Sequence, residues 1–148
     1  MSDIESLRKR YTALNESRPS SKQFIDSIES ELGVQLPKDF REIAEFFDGG
    51  GINVMPLYSL AGNAPNLNPI HETLRLRKAI GLPSNWVVLG EPPASLLLMD
   101  CDTGGRIIWI DATDAERIGS QDFARQPDTW NSFSEFFDYL LDEEEADR

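Results

Sequence analysis

Trp86-Val87-Val88-Leu89-Gly90, Ser95-Leu96-Leu97-Leu98-Met99-Asp100 and Arg106-Ile107-Ile108-Trp109-Ile110-Asp111 are three short apolar runs bounded by glycine, proline and aspartate. Apolar runs of this length, punctuated in this way, predict strands. Between the last two lies Asp102-Thr103-Gly104-Gly105, a strong turn signal, so those two strands are expected to pair as an antiparallel hairpin. Most of the chain ahead of these runs, and a segment near the C-terminus, carry helical spacing instead.

Ile4, Leu7, Tyr11 and Leu14 fall on one face of a helix that leaves Arg8, Lys9 and Arg10 outward. Ser17-Arg18-Pro19-Ser20-Ser21 breaks it, and a second helix is expected over 22–32. Phe24, Ile25, Ile28 and Leu32 point inward there, Ser20 or Ser21 can cap it, and Gly33 suits its left-handed exit. Leu36-Pro37 opens a third helix, because proline in the first turn loses no required hydrogen bond. Its stripe of Phe40, Ile43, Ala44, Phe46 and Phe47 stops at Asp48-Gly49-Gly50-Gly51. Residues 52–60 read as a strand, which Pro56 assigns to a sheet edge or a bulge. Asn68-Pro69 starts a fourth helix through Ile70, Leu74 and Ile80, closed by Gly81 and Pro83. Ser132-Phe133-Ser134-Glu135 has capping-box spacing and opens the last helix, with Phe133, Phe136, Phe137, Leu140 and Leu141 on its apolar face. Residues 142–148 are expected to form a frayed acidic tail, since acids at a helix C-terminus oppose its dipole. The order of elements implies an α+β fold, a largely antiparallel sheet flanked by helices, in one domain spanning 1–148.

A chain of 148 residues is long enough for one core without staples. Lysine and arginine number 14 against 26 aspartates and glutamates, and the net charge of −12 repels phosphate, so direct nucleic-acid binding is not expected. The single cysteine precludes an intrachain disulfide and makes the cytoplasm the natural compartment. No basic, apolar leader opens the chain, and no stretch reaches the roughly 18 apolar residues that span a bilayer, so no membrane association is expected.

Residues that could carry chemistry are few and isolated. His71 is the lone histidine and lacks the second ligand of a zinc helix, so no metal is assigned. Cys101 lies between Asp100 and Asp102, whose charges disfavour a thiolate. Gly49-Gly50-Gly51 comes after a helix and lacks the Lys-Ser/Thr of a phosphate loop, so it reads as a helix stop. Asp100, Asp102, Asp111 and Asp114 gather around the hairpin in sequence, without the spacing of a calcium loop. Trp86, Trp109 and Trp130 read as core or core-edge residues. No nucleophile elbow or catalytic constellation is present, and neither an enzymatic activity nor a cofactor is expected.

One block is distinctive. Ile28-Glu29-Ser30-Glu31-Leu32-Gly33-Val34-Gln35-Leu36-Pro37-Lys38-Asp39-Phe40-Arg41-Glu42-Ile43, running into Phe46-Phe47-Asp48-Gly49-Gly50-Gly51-Ile52, resembles the opening signature of the SUKH superfamily, the Smi/Knr-like proteins. Asp48 stands where asparagine is commoner, and both residues tolerate turn geometry. The strand at Trp86, the Asp102-Thr103-Gly104-Gly105 hairpin and the helix opened by Ser132 extend the likeness over 24–141. The resemblance implies an α+β domain in which Leu36, Pro37, Phe40, Gly49 and Gly50 are mainly structural. In bacteria it implies an immunity protein that binds and neutralises a secreted polymorphic toxin, frequently a nuclease. Fungal relatives imply the alternative of a regulatory or scaffold domain in cell-wall control, and a metal- or small-ligand-dependent enzyme stands third. On the immunity reading the partner is a cognate toxin domain, drawn in by an acidic surface, and the expected contacts are exposed acids at turns and strand ends: Asp100, Asp102, Asp111, Asp114 and Glu116.

Overall fold

The three apolar runs form strands β1 (Trp86–Gly90), β2 (Ser95–Asp100) and β3 (Arg106–Asp111), paired antiparallel in chain order. The computed structural model describes residues 3–119 and 122–148. Leu97 faces Trp109 across the hairpin and Asp100 faces Arg106 at its closed end. Side chains alternate between two faces, and both faces are covered. Val87, Leu89, Leu97, Met99 and Ile107 enter the larger core beneath the helices. Trp86, Val88, Leu96, Leu98, Ile108 and Ile110 enter a second cluster on the outer face with Leu76, Leu82, Ala115 and Ile118. Double-sided burial explains why these strands read as continuous apolar runs rather than alternating ones.

Among the described residues four helices precede the sheet, α1 (Ile4–Leu14), α2 (Lys22–Leu32), α3 (Lys38–Ala44) and α4 (Pro69–Ile80), and α5 (Phe133–Asp147) comes after it. Their ends are set by side-chain chemistry. Ser21 Oγ accepts the Phe24 amide at 3.1 Å, and Asn68 Oδ1 accepts that of His71 at 2.8 Å. Gly33 and Gly81 close α2 and α4 in the left-handed region. Ser132 caps α5 through the Glu135 amide at 3.2 Å, while the Glu135 carboxylate takes the amide of Asn131, one residue earlier than in a capping box. Pro37 sits just ahead of α3 rather than within it. The core's aromatic centre draws on α3, α5 and the turn after α3: Phe137 lies edge-on to Phe47 at 4.9 Å, and Phe133 edge-on to Phe40 at 4.8 Å.

Residues 52–60 do not form the strand their apolar residues suggest. Their amides go to scattered partners: Asn53 and Val54 to the Glu144 carboxylate, Tyr58 to Leu89 O, and Leu60 to Asp48 O. Pro56 offers no donor, so a ladder cannot run through it. Two elements carry no apolar run and escape the sequence pattern: a 3₁₀ helix over Ala112–Arg117 and the three-residue edge strand β4 (Asp128–Trp130), paired with β3.

The acidic tail is also corrected. Helix α5 continues through Asp147, and Glu144 is fully buried. Its carboxylate accepts the Asn53 amide at 2.6 Å, the Val54 amide at 3.1 Å and Arg148 Nε at 2.9 Å. Arg10 of α1 adds contacts to Asp138, Asp142 and Glu145 along the same helix. Cations placed among the acids offset the unfavourable dipole and bind the two helices together.

Candidate partner-binding surface

The signature block is a structural hub. Leu36 is buried, and its amide donates to Glu29 Oε2 at 2.8 Å. Pro37 packs so close to the hairpin turn that a Cβ on Gly105 would lie 2.7 Å from its ring. Phe40 is buried against Phe133, and neighbouring Asp39 accepts the Ser134 amide at 2.7 Å, adding a second acceptor at the start of α5. Gly49, at φ +96°, passes so near residue 58 that a Cβ would stand 2.4 Å from Tyr58 O. The Gly50 carbonyl accepts the Tyr11 hydroxyl at 2.9 Å, and Asp48 Oδ1 collects both the Gly50 amide and Arg18 Nε. The glycine run thus lets backbone cross between α1 and residues 56–60 where any side chain would block it.

The five acids expected at the partner surface divide in two. Asp102 and Glu116 are exposed, and Asp111 is half-buried. Asp111 Oδ1 caps the 3₁₀ helix by accepting the Thr113 amide at 3.0 Å and its hydroxyl at 2.8 Å, and these bonds hold its carboxyl below the usual range. Asp100 and Asp114 are not surface acids, being 4% and 1% exposed. Asp114 is turned inward to accept the Ala124 amide at 3.0 Å and the Arg125 amide at 3.2 Å, which ties down the chain after the 3₁₀ helix. Asp100 Oδ1 accepts Asn85 Nδ2 at 2.7 Å and the Asp102 amide at 3.0 Å, shaping the hairpin turn. Nor do the five form one cluster. Asp100 and Asp102 lie at one end of the hairpin and Asp111 at the other, about 17 Å away for strands of this length. Among the described residues no group of three histidine, cysteine, aspartate or glutamate side chains could hold a metal ion.

The remaining polar and aromatic candidates are quiet. His71 is exposed on α4. The Cys101 thiol is pushed up to about 12, first by burial and then by the charges of Asp100, Asp102 and Glu29, so it is not a nucleophile at neutral pH. Trp109 donates its indole N–H to Ser95 Oγ at 2.7 Å, and Trp130 packs edge-on against Phe136 at 4.8 Å.

The outer face of the sheet also carries an open cleft of about 920 Å³ whose lining includes Trp86, Asp100, Arg106, Ile108, Phe123 and Thr129. Sequence reasoning missed it. The period-two pattern of β3 already puts Arg106 on the same face as Ile108 and Ile110, but the cleft depends on the chain after the 3₁₀ helix, which has no periodic signal.

Helices packed on a four-stranded antiparallel sheet, with a glycine-rich crossing that locks α1 to residues 56–60, define an α+β domain. The chain belongs to the SMI1 / KNR4 family (SUKH-1), whose family model matches residues 19–139. No curated protein matches it. No described helix is long and apolar enough to cross a membrane.

Proposed function

We propose that the protein is a bacterial immunity protein, a non-catalytic cytoplasmic binder that neutralises a cognate polymorphic toxin by covering its working surface. Membership of the SUKH-1 family over residues 19–139 is the observation that carries this reading. The physical chemistry is compatible with it. A net charge of −12 attracts a basic domain such as a nuclease, and favourable fields raise association by about 10- to 1000-fold. Slow dissociation then comes from buried contacts rather than from charge. Asp102, Asp111 and Glu116 remain candidate surface contacts, whereas Asp100 shapes the turn that carries Asp102 and Asp114 ties down residues 124–125.

Co-expression with the C-terminal domain encoded by the adjacent gene tests the reading. Survival of the host and co-purification of the two chains are expected. Death of the host despite soluble expression of both chains, or turnover of a substrate by the isolated protein, overturns it.

A further inference from the structure

In the outer-face cleft the Asp100 side chain is 6% exposed and oriented by two donors on Oδ1. The nearest cation to Oδ2 is the Arg106 guanidinium, 4.0 Å away and outside hydrogen-bonding distance. The same guanidinium lies 5.8 Å from the centre of the Trp86 ring, near the outer limit of a cation–π contact. Arg106 is 45% exposed and so engages both groups loosely. A nearly buried carboxylate and an indole that is 6% exposed are thus held on strands β2 and β1, and Asp122 and Phe123 also line the cleft. Two carboxylates against one guanidinium, in a chain of charge −12, favour a cationic guest over an anionic one.

We propose that this cleft receives an arginine or lysine side chain from a basic segment of the protein partner, stacked on Trp86 and paired with Asp100. The inference rests on the protein-binding reading above and adds the place and chemistry of one contact. The incoming cation displaces Arg106 from between the two groups, and the Phe123 ring covers its aliphatic stem. Arg106 therefore competes with the guest, and its removal strengthens binding, the reverse of what loss of a structural residue does.

The test uses the full ¹⁵N-labelled chain and three blocked tripeptides, glycyl-arginyl-glycine, its neutral citrulline counterpart and glycyl-glutamyl-glycine. The arginine peptide is expected to produce saturable shifts of the Trp86 indole N–H and the Asn85 side-chain amide, and the citrulline peptide is expected to produce none. Arg106→Gln is expected to bind the arginine peptide roughly five- to tenfold more tightly, from removal of one like charge a few ångströms away, and Phe123→Ala more weakly. Silence of both resonances with the arginine peptide on the wild-type chain overturns the proposal without need of any variant. So does a response to the glutamate peptide that Arg106→Gln abolishes. A chain that protects the host and co-purifies with the toxin as before, yet whose Arg106→Gln and Phe123→Ala variants bind the toxin with unchanged affinity, removes the cleft from the interface and leaves the immunity reading standing.

Discussion

Replacing Glu144 by alanine is expected to destabilise the fold far more than any other change in the acidic C-terminal run. The side chain is fully buried, and its carboxylate is the acceptor for the amides of Asn53 and Val54 and for Arg148 Nε. A hydrogen bond to a charged group contributes roughly 1.5–3 kcal/mol, and water re-entering beside the partly exposed 53–54 backbone recovers some of that loss. Two such bonds, with a small addition from the half-exposed Arg148 pair, put the cost at about 3 kcal/mol. For a domain of this size that lowers Tm by roughly 6–12 °C. Glu143 is exposed one residue earlier, and its replacement by alanine is expected to stay within about 0.5 kcal/mol of wild type. Glu144→Gln, which keeps one acceptor oxygen, is expected to fall between. Calorimetric melting of the three variants checks this. A Glu144→Ala protein that melts with Glu143→Ala refutes the claim that the tail is an internal anchor of residues 52–60.

Three further outcomes are set by the geometry. Gly49→Ala is expected to cost about 3 kcal/mol or more by urea denaturation, because a Cβ at φ +96° meets Tyr58 O at 2.4 Å; Gly33→Ala, at φ +68° with open space around it, is expected to cost about 1–2 kcal/mol. Equal losses at the two positions would remove the close crossing as the reason for the glycine run. The carboxyls of Glu29 and Glu144 are pushed up by burial, but hydrogen bonds from Arg41 and Leu36, and from Arg148, Asn53 and Val54, outweigh it and hold both below their ordinary value; the Arg10 hydrogen bond does the same for Glu145. Depressed folded values mean stability that is fully present above the unfolded pKa of about 4.3 and lost as pH falls through the folded ones, so urea midpoints should be level near neutrality and drop below about pH 4.3. A midpoint that rises on acidification contradicts the assigned ion pairs. Finally, stopped-flow association with a basic partner should slow severalfold or more between low and physiological salt with little change in dissociation, and a rate indifferent to salt removes electrostatic steering.

Legibility in the sequence tracked regularity of spacing. Helices α1, α2, α4 and the start of α5 were readable because apolar stripes coincide with caps such as Ser21, Asn68 and Ser132. Strands β1 to β3 were readable because burial on both faces makes them uniformly apolar. Residues 52–60 misled for the same reason: Ile52, Met55 and Leu60 are buried, but as anchors of an irregular segment whose amides depend on distant acceptors. Asp100 and Asp114 misled because a turn acid's charge does not reveal whether nearby backbone amides will turn it inward. Glu144 differs from Glu143 and Glu145 only in helical phase, which places it alone toward the 53–54 backbone. The outer-face cleft requires Trp86, Asp100, Arg106 and Phe123 to converge from four separate stretches, and no local pattern encodes that.

On the proposed reading the protein acts by occupying its partner rather than by transforming it. Titrating a fixed amount of active cognate toxin with the purified protein and measuring residual toxin activity distinguishes the two. A linear loss of activity that ends at one molar equivalent is predicted, whereas complete inactivation by a small fraction of an equivalent would show turnover and contradict it.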